Sequence, residues 1–304
     1  MGIRHFLSIG DLSRDELFSL LDRAAELKSL RGTPEHPEPL ARKSVAVVFE
    51  KASTRTRLSF EVGIHELGAL PVTLISKDTQ LDRGEPIEDT ARMLSRYVHG
   101  VVYRTFGHDR LELLAEHATI PVINGLSDRY HPCQLLADLM TIRESLDRPI
   151  EQLRVAWVGD GNNMAHSWIR SAEVAGFELS LACPSAYQPD PSIVAAAKSQ
   201  GARVSVSSDP REAVAGAHVV TTDVWASMGQ EGEANARLEA FAGFIVDDSL
   251  MNAAETGSIF LHCLPAHRGE EVSANIIDGV QSRVWDEAEN RLHAQKALLE
   301  WLIP

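Results

Sequence analysis

Short apolar runs alternate with stretches of helical periodicity along almost the whole chain, and this alternation restricts the possible folds more than any other feature. The first strands are predicted by the runs "SVAVVFE", "LPVTLIS" and "GVVYRTF", each followed by a stretch with apolar residues three or four apart. Strands that alternate with helices pair in parallel, because each helix carries the chain back to the same end of the sheet. We therefore predict an α/β fold with mostly parallel sheets flanked by helices.

The alternation is interrupted once, at "DRPIEQL", before it resumes with "RVAWVGD". A chain of 304 residues is long enough for two ordinary domains. We place the boundary at this interruption, which gives a first domain of residues 1–147 and a second of residues 148–284. The last run, residues 285–304, is amphipathic and predicts a C-terminal helix, with Asp286 and Glu289 at the spacing of a capping box.

Three other segments carry specific expectations about local structure. A first helix is predicted by the capping-box pair Ser13 and Glu16 and the stripe of leucines that follows. In the second domain, "GFIVD" is placed among the strands. A helix after "SVAVVFE" is predicted by a repeat of apolar residues, namely Leu58, Phe60, Val62, Ile64 and Leu67.

The charge balance narrows the class of partner. Lys and Arg number 29 against 43 Asp and Glu, so the net charge is −14, which argues against nucleic acid or an anionic membrane as the main partner. A local arginine cluster can still bind a small anion, because salt screens the distant charges. No apolar stretch approaches the roughly 18 residues of a membrane span, and the N-terminus does not resemble a signal peptide.

The cysteines predict neither a disulfide framework nor a zinc site. Cys133, Cys183 and Cys263 are odd in number and lack CxxC spacing, a pattern that suits a reducing, cytoplasmic location. The P-loop, HExxH and GxSxG motifs are absent from the sequence. We expect no metal and no cofactor.

Polar clusters follow several of the predicted strands, and the first is "STRTR" at residues 53–57. Its position predicts backbone N–H groups at a helix N-terminus, where the helix dipole favours an anion, while arginine offers a planar fork that matches phosphate oxygens. The alternative is a capped helix with exposed arginines. Cations in a first turn oppose the helix dipole, so we favour an oxyanion site.

Two further clusters are less specific. "NGLSDRYHPCQ" places His131 and Gln134 at the start of a helix, where they could donate to a carbonyl oxygen and accept from an amide, or form a capped start with a buried histidine. "VGDGNNM" resembles a dinucleotide fingerprint, but Met164 replaces its third glycine and the next strand lacks the acidic residue that binds ribose. Asn162 and Asn163 could instead bind a polar ligand.

The last two clusters include a carboxylate and a thiol. In "TTDVWASMG", Asp223 could hold an ammonium group while the backbone at Ser227 and Met228 holds a carboxylate; the alternative is an ordinary polar turn. In "FLHCLPAHR", Cys263 is either a buried structural thiol or a group with a perturbed pKa at the mouth of a strand. Cys263 could also be a covalent nucleophile paired with His262 or His267. Pairing with His262 is disfavoured, because adjacent strand residues point to opposite faces.

These segments together resemble the aspartate/ornithine carbamoyltransferase family. "STRTR" and "HPxQ" are shared across that family, whereas "GDGNN", "DVWxSMG" and "HCLP" look like its ornithine branch, and "ENR" at 289–291 fits both its place and its spacing. The matches run in the expected order from about residue 49 to 297. The small departures are Ala52 and Asp82, the second beside a predicted ligand.

The resemblance implies transfer of a carbamoyl group from carbamoyl phosphate to the δ-amine of ornithine, giving citrulline in arginine metabolism. It implies a homotrimer or a multiple of trimers, with Gln80 reaching a neighbouring subunit, and a C-terminal helix 285–304 that joins the first, carbamoyl-phosphate-binding domain. The second domain would bind ornithine through Asn163, Asp223, Ser227 and Met228. Carbamoyl phosphate would be held by Ser53, Thr54, Arg55, Thr56, Gln80, Arg104, His131, Gln134, Cys263, Leu264 and Arg291.

The chemistry gives the catalytic candidates, Arg55, Arg104, His131, Asp223 and Cys263, their roles. Arg55, supported by Arg104, would stabilise charge on the departing phosphate, and Arg104 with His131 would polarise the carbonyl together with Thr56. Asp223 and Cys263 are candidates for steering deprotonation of the amine. Other amines, such as putrescine or an acylated ornithine, and a non-catalytic relative stay open, as does a structural ion pair for Arg57.

Overall fold

The computed structural model describes residues 2–226 and 234–304, apart from the side chain of Ala234. The chain divides into two compact units. Unit 1 comprises Met1–Met140 with Glu289–Pro304, and unit 2 comprises Thr141–Ala288. Within the described ranges, no helix combines the length and apolarity that a membrane crossing requires.

Unit 1 contains a four-stranded parallel sheet in the order β2-β1-β3-β4. Helices connect the strands in chain order, as the α/β prediction required, so the predicted fold class is confirmed here. The strands are β1 (Ser44–Phe49), β2 (Leu70–Ile75), β3 (Gly100–Arg104) and β4 (Val122–Leu126), and the helices are α1 (Arg14–Ser29), α2 (Arg55–Glu66), α3 (Ile87–Tyr97), α4 (His108–His117) and the first part of α5 (Pro132–Ser145).

Unit 2 contains a five-stranded parallel sheet in the order β7-β6-β5-β8-β9. The strands are β5 (Arg154–Val158), β6 (Glu178–Ala182), β7 (Arg203–Ser207), β8 (Val219–Thr222) and β9 (Ile259–His262). The helices are α6 (Asn163–Ala175), α7 (Pro191–Ser199), α8 (Pro210–Val214), α9 (Ala234–Ala240), α10 (Asp248–Met251), α11 (Ala274–Ile277) and α12 (Val284–Leu302), whose last part belongs to unit 1.

The strand order of each sheet reverses at one place. From β1 the chain adds β2 on one side and then returns to add β3 on the other; from β5 it adds β6 and β7 before returning to add β8. At such a switch point the connections leave the two neighbouring strands in opposite directions, which opens a crevice at their carboxyl ends. The residues that follow β1 and β3, and those that follow β5 and β8, are therefore the best placed to bind ligands.

The first helix follows the predicted capping pattern. The hydroxyl of Ser13 accepts a hydrogen bond from the backbone N–H of Glu16 at 3.3 Å, and the Glu16 carboxylate accepts one from the N–H of Ser13 at 2.9 Å. Two N–H groups without intrahelical partners are thereby satisfied. The predicted apolar stripe is buried and consists of Leu17, Leu20, Leu21, Ala24 and Leu27.

The predicted apolar face of α2 is only partly right. Phe60, Ile64 and Leu67 are fully buried, whereas Leu58 is 57% exposed and Val62 is 36% exposed. Leu58 and Val62 lie four residues apart and so share a face of the helix that the core of unit 1 does not cover. The apolar repeat correctly predicts a helix, but it merges two faces into one.

Two local predictions in the later part of the chain are wrong. Helix α12 begins at Val284, so Asp286 lies within its first turn and cannot be the N-cap of a capping box with Glu289. The segment "GFIVD" forms no regular strand: Val246 makes an isolated parallel bridge to Val272, and the Asp247 side chain caps α10 by accepting from the N–H of Leu250. The aspartate therefore ends the extended segment.

A buried ion pair ties α12 to the first part of unit 1. The Lys296 side chain is fully buried, and its Nζ lies 2.7 Å from Glu66 Oε2 and 3.0 Å from His36 Nε2. Burial alone would raise the pKa of Glu66, but hydrogen bonds from Lys296 and Arg31 lower this pKa overall. Arg31 approaches the same carboxylate at 2.9 Å from a position that is 44% exposed.

This shared carboxylate allows a matched comparison of two substitutions. We expect Lys296→Met to lower the free energy of unfolding by about 3 kcal/mol, because it removes the buried partner of a charge. We expect Arg31→Met to cost less than about 1 kcal/mol, because exposed pairs contribute little. Urea denaturation of both variants measures the difference, and equal losses would show that burial of Lys296 has no special role.

Candidate active site

The segment that follows β1 carries the first group of predicted residues. Ser53 and Thr54 precede α2, and Arg55 and Thr56 lie in its first turn. Thr56 is 1% exposed, whereas Ser53 and Arg55 are partly exposed and Thr54 is exposed. The predicted arrangement of a strand, a turn and a helix N-terminus is thus present at the β1/β3 switch point.

The hydroxyl of Thr56 is the meeting point of two buried arginines. Arg104, the last residue of β3, donates from Nη1 at 3.2 Å, and Arg291 on α12 donates from Nη2 at 2.7 Å. Arg104 is 6% exposed and Arg291 is 3% exposed. Two buried guanidiniums at one hydroxyl create a strongly positive environment, which an anion would stabilise.

The start of α5 adds a histidine and an amide to this cluster. The Gln134 carbonyl oxygen accepts from Arg291 Nη1 at 3.0 Å, and its amide nitrogen donates to Asp138 Oδ1 at 2.8 Å. Burial, and then the positive charges of Arg291 and Arg104, lower the pKa of His131 well below its ordinary value. His131 is therefore neutral at pH 7 and can act as a hydrogen-bond donor that carries no net charge.

Arg57 does not belong to this cluster. Its Nε lies 2.9 Å from Glu61 Oε1, one turn along α2, and its side chain is 46% exposed. Glu61 also accepts from the hydroxyl of Thr73. Of the two possibilities left open for Arg57, the geometry shows the structural ion pair.

The segment around Gln80 lies beside a cavity of unit 1. Gln80 and Asp82 are both exposed, and Asp82 lies in a short 3₁₀ turn, Leu81–Arg83. Asp82 lines a cavity of about 640 Å³ together with Ser53, Lys77 and Arg110. Of the predicted carbamoyl-phosphate residues of unit 1, Ser53 lines this cavity, whereas Arg104 and Arg291 do not.

A buried carboxylate stabilises the loops around that cluster. Glu50, which follows β1, accepts hydrogen bonds from the hydroxyl of Tyr103 at 2.6 Å and from Arg110 Nη2 at 2.6 Å, and also from Thr105. It thus links the ends of β1 and β3 to α4, with Arg104 between two of its donors. Sequence reasoning missed Glu50, because its role depends on strand pairing.

In unit 2, three of the side chains that follow β5, β8 and β9 meet at one carboxylate. Asp223, 7% exposed, accepts from the amide of Asn162 at 3.2 Å through Oδ2 and from the thiol of Cys263 at 3.2 Å through Oδ1. Asn162 also caps α6 through its side-chain oxygen. Asn163 is the first residue of that helix and is partly exposed.

The turn after β9 is held by a histidine–carboxylate pair. His262 Nε2 lies 3.1 Å from Glu271 Oε1, and His262 Nδ1 accepts from the N–H of Leu264 at 2.9 Å. Leu264 adopts a left-handed backbone with φ of 57°, which is strained for a leucine. Both nitrogens of His262 are therefore engaged in other hydrogen bonds, which disfavours a nucleophile made by Cys263 and His262.

Ligand atoms of Asp223, His262 and Cys263 lie within 4.8 Å of one another, as do those of His267, Glu270 and Glu271. Such spacing is compatible with a metal ion. In the first group, however, the imidazole lone pair of His262 accepts from a backbone N–H. A metal would have to displace that bond.

Two predicted ornithine-binding residues, Ser227 and Met228, lie outside the described residues. Both flanks of the interval 227–233 are described. Arg237 on α9 donates to Asp160 Oδ2 at 2.8 Å and to the carbonyl oxygen of Trp225 at 2.7 Å. Burial raises the pKa of Asp160, although the charge of Arg237 opposes the shift.

Sequence reasoning missed the partners Asp138, Asp160, Arg237 and Glu271. Only Asp138 carried a usable signal, because its spacing of four residues from Gln134 places both side chains on one face of a helix. The other three are brought to the site by tertiary packing, which no local spacing reveals.

Comparisons with known proteins agree with this geometry. Residues 4–144 match the family model for the carbamoyl-P binding domain of aspartate/ornithine carbamoyltransferases, and residues 151–302 match the model for the Asp/Orn binding domain. The ornithine carbamoyltransferase of Halorhodospira halophila is 57% identical over 301 residues, which cover 99% of both chains.

Two further relatives extend the likeness. The anabolic ornithine carbamoyltransferase of Pseudomonas aeruginosa is 54% identical over 303 residues, which cover 100% of this chain and 98% of that protein. The crystal structure of ornithine carbamoyltransferase from Burkholderia thailandensis is similar with a TM-score of 0.91 and 48% identity, covering 99% of each chain. The chain therefore belongs to the aspartate/ornithine carbamoyltransferase family.

Proposed function

We propose that this protein transfers the carbamoyl group of carbamoyl phosphate to the δ-amino group of L-ornithine, giving L-citrulline and phosphate. The observation that carries the proposal is the convergence of Arg104 and Arg291 on Thr56 at the β1/β3 switch point. The named ornithine carbamoyltransferases that match over nearly the whole chain support the same reaction.

Unit 1, in this proposal, binds carbamoyl phosphate. Ser53, Thr54 and the N–H groups at the start of α2 hold the phosphate, with Arg55 as the main contact to the leaving group. The dipole at the helix N-terminus and the fork of a guanidinium both stabilise phosphate charge. This charge grows as the bond to the carbamoyl carbon breaks, so Arg55 stabilises the transition state more than the bound substrate.

The carbonyl oxygen of the carbamoyl group would be polarised by Thr56, Arg104 and His131. Because the pKa of His131 is lowered well below its ordinary value, this imidazole donates as a neutral group at pH 7. A neutral donor avoids a third positive charge beside two arginines. Polarisation makes the carbonyl carbon a better target for an amine.

Unit 2 would bind ornithine. The carboxylate of Asp223 would bind the ammonium group, and Asn162 orients this carboxylate. Asn163 and the backbone at Ser227 and Met228 would bind the α-amino acid end. Cys263 and Leu264 are proposed as further contacts to the carbamoyl group. Both residues lie in unit 2, on the turn after β9.

The amine must lose a proton before it attacks. With a reference pKa of about 10.4 for an alkyl ammonium, neutral pH leaves it about three units on the protonated side, which costs about 4 kcal/mol. Asp223 and Cys263 share a hydrogen bond at 3.2 Å. We propose that this pair steers the deprotonation of the amine.

We also propose an oligomeric state, a cellular location and a metabolic direction. We propose a homotrimer or a multiple of trimers in which Gln80 reaches a neighbouring subunit, and an interface between copies would cover the exposed apolar residues Leu58 and Val62. Three free thiols suit a cytoplasmic enzyme. The anabolic relative favours arginine biosynthesis.

Residues 1–147 with 285–304 would form the carbamoyl-phosphate domain and 148–284 the ornithine domain.

A comparison of amines tests the proposed reaction. We expect kcat/KM for ornithine to exceed the values for putrescine and N-acetylornithine by at least about 100-fold, because a site built to pair an α-carboxylate and an α-amine rejects analogues that lack them. The measurement is carbamoylated product formed from carbamoyl phosphate and each amine. Equal rates, or no citrulline at all, would overturn the proposal.

The pair Asp223 and Cys263 is tested by the pH dependence of the rate. We expect Asp223→Asn to raise KM for ornithine at least tenfold, because the ammonium group loses a charge-assisted hydrogen bond. We expect Cys263→Ala to shift the rise of kcat/KM with pH to higher pH, because the thiol no longer assists deprotonation of the amine.

The matched control is Cys183→Ala, which removes another thiol of unit 2 that is fully buried and has a raised pKa. We expect this variant to keep the pH–rate profile of the unaltered protein. If Cys263→Ala leaves both the ornithine KM and the pH–rate profile unchanged, Cys263 has no part in deprotonation.

A further inference from the structure

The two ends of the Gln134 amide face neighbours of opposite character. The nitrogen donates to Asp138 Oδ1 at 2.8 Å, and the oxygen accepts from Arg291 Nη1 at 3.0 Å. Gln134 is fully buried, Asp138 is 1% exposed and Arg291 is 3% exposed. Bulk solvent therefore does not reach either contact.

These neighbours determine which way the amide points. A carboxylate accepts hydrogen bonds and a guanidinium only donates them. A rotated amide would direct its oxygen at the Asp138 carboxylate and its N–H₂ at Arg291, and both buried contacts would then be repulsive. The amide oxygen therefore lies on the side of Arg291 and Thr56, where the guanidiniums converge.

We infer that Asp138 is a positioning residue that keeps the Gln134 oxygen directed at the amino end of the carbamoyl group, and that it thereby makes the site selective for carbamoyl phosphate over other acyl phosphates. The inference rests on the proposed function. Asp138 does not touch substrate; it acts through the orientation of Gln134.

The reason lies in the two ends of a carbamoyl group. Its carbonyl oxygen accepts hydrogen bonds and its N–H₂ group donates them, although the two ends are similar in size. Arg104 and Thr56 offer donors for the carbonyl, so the N–H₂ end needs an acceptor. Gln134 supplies that acceptor while Asp138 holds its nitrogen and Arg291 its oxygen, since a rotated amide would oppose one N–H₂ group with another.

Acetyl phosphate separates this role from a merely structural one. It has the same phosphate and the same carbonyl, but a methyl group replaces N–H₂. Acetyl phosphate therefore donates no hydrogen bond to the Gln134 oxygen. A helical pair four residues apart also stabilises α5. Loss of that stability alone would weaken the binding of both acyl phosphates to a similar extent.

The experiment measures Asp138→Asn and Asp138→Ser in parallel, so that it does not depend on the folding of one variant. For each, kcat/KM for carbamoyl phosphate is compared with the inhibition constants of acetyl phosphate and inorganic phosphate. We expect kcat/KM to fall about tenfold, the effect of losing one charge-assisted hydrogen bond, while both inhibition constants stay within about twofold. An equal loss for all three, or no loss for carbamoyl phosphate, would overturn the inference.

A double-mutant cycle with Gln134→Met provides the second measurement. Methionine removes the amide at similar volume, so Asp138→Asn should change kcat/KM by less than about twofold in that background. A full tenfold loss there would show that Asp138 does not act through Gln134. Failure of the unaltered protein to form citrulline would instead count against the proposed function, and the two failures are thus distinguishable.

Discussion

The hydroxyl of Thr56 accepts hydrogen bonds from Arg104 and Arg291, and the chemistry of unit 1 depends on this contact. Two positive charges buried at one oxygen carry a desolvation cost that an anion offsets. The two arginines come from different elements: Arg104 ends β3 and Arg291 lies on α12, and both reach the start of α2. An acyl phosphate would offset this cost by neutralising charge, so the two arginines favour an anionic ligand.

In both sheets a polar cluster forms where the strand order reverses. In unit 1 the neighbours β1 and β3 bring the first turn of α2 to Arg104, and in unit 2 the neighbours β5 and β8 bring Asn162 to Asp223. In each case the connections leave the two strands in opposite directions, which opens space where the strands end. One unit presents cations and the other presents a carboxylate. Their charges suit an acyl phosphate and an amine.

The sequence was sufficient to predict most of the strands and helices and the polar residues that follow β1, β3, β5, β8 and β9, because these depend on spacing along the chain. It could not assign Leu58 and Val62 to the exposed face of α2, since periodicity alone does not show which of two apolar faces the core covers. It also missed Asp160 and Glu271, which reach Arg237 and His262 only through tertiary packing. The supporting residues of a site are thus harder to predict than those that face the ligand.

The central claim, that the cluster after β1 is a phosphate cradle, is tested most directly by comparing two arginines of one segment. Arg55→Met should lower kcat/KM for carbamoyl phosphate by about 10² to 10³, because it removes a donor from the developing charge of the leaving group. Arg57→Met should change it by less than about threefold, because Arg57 is exposed and paired with Glu61. Equal losses for both variants, or full activity of Arg55→Met, would contradict the account.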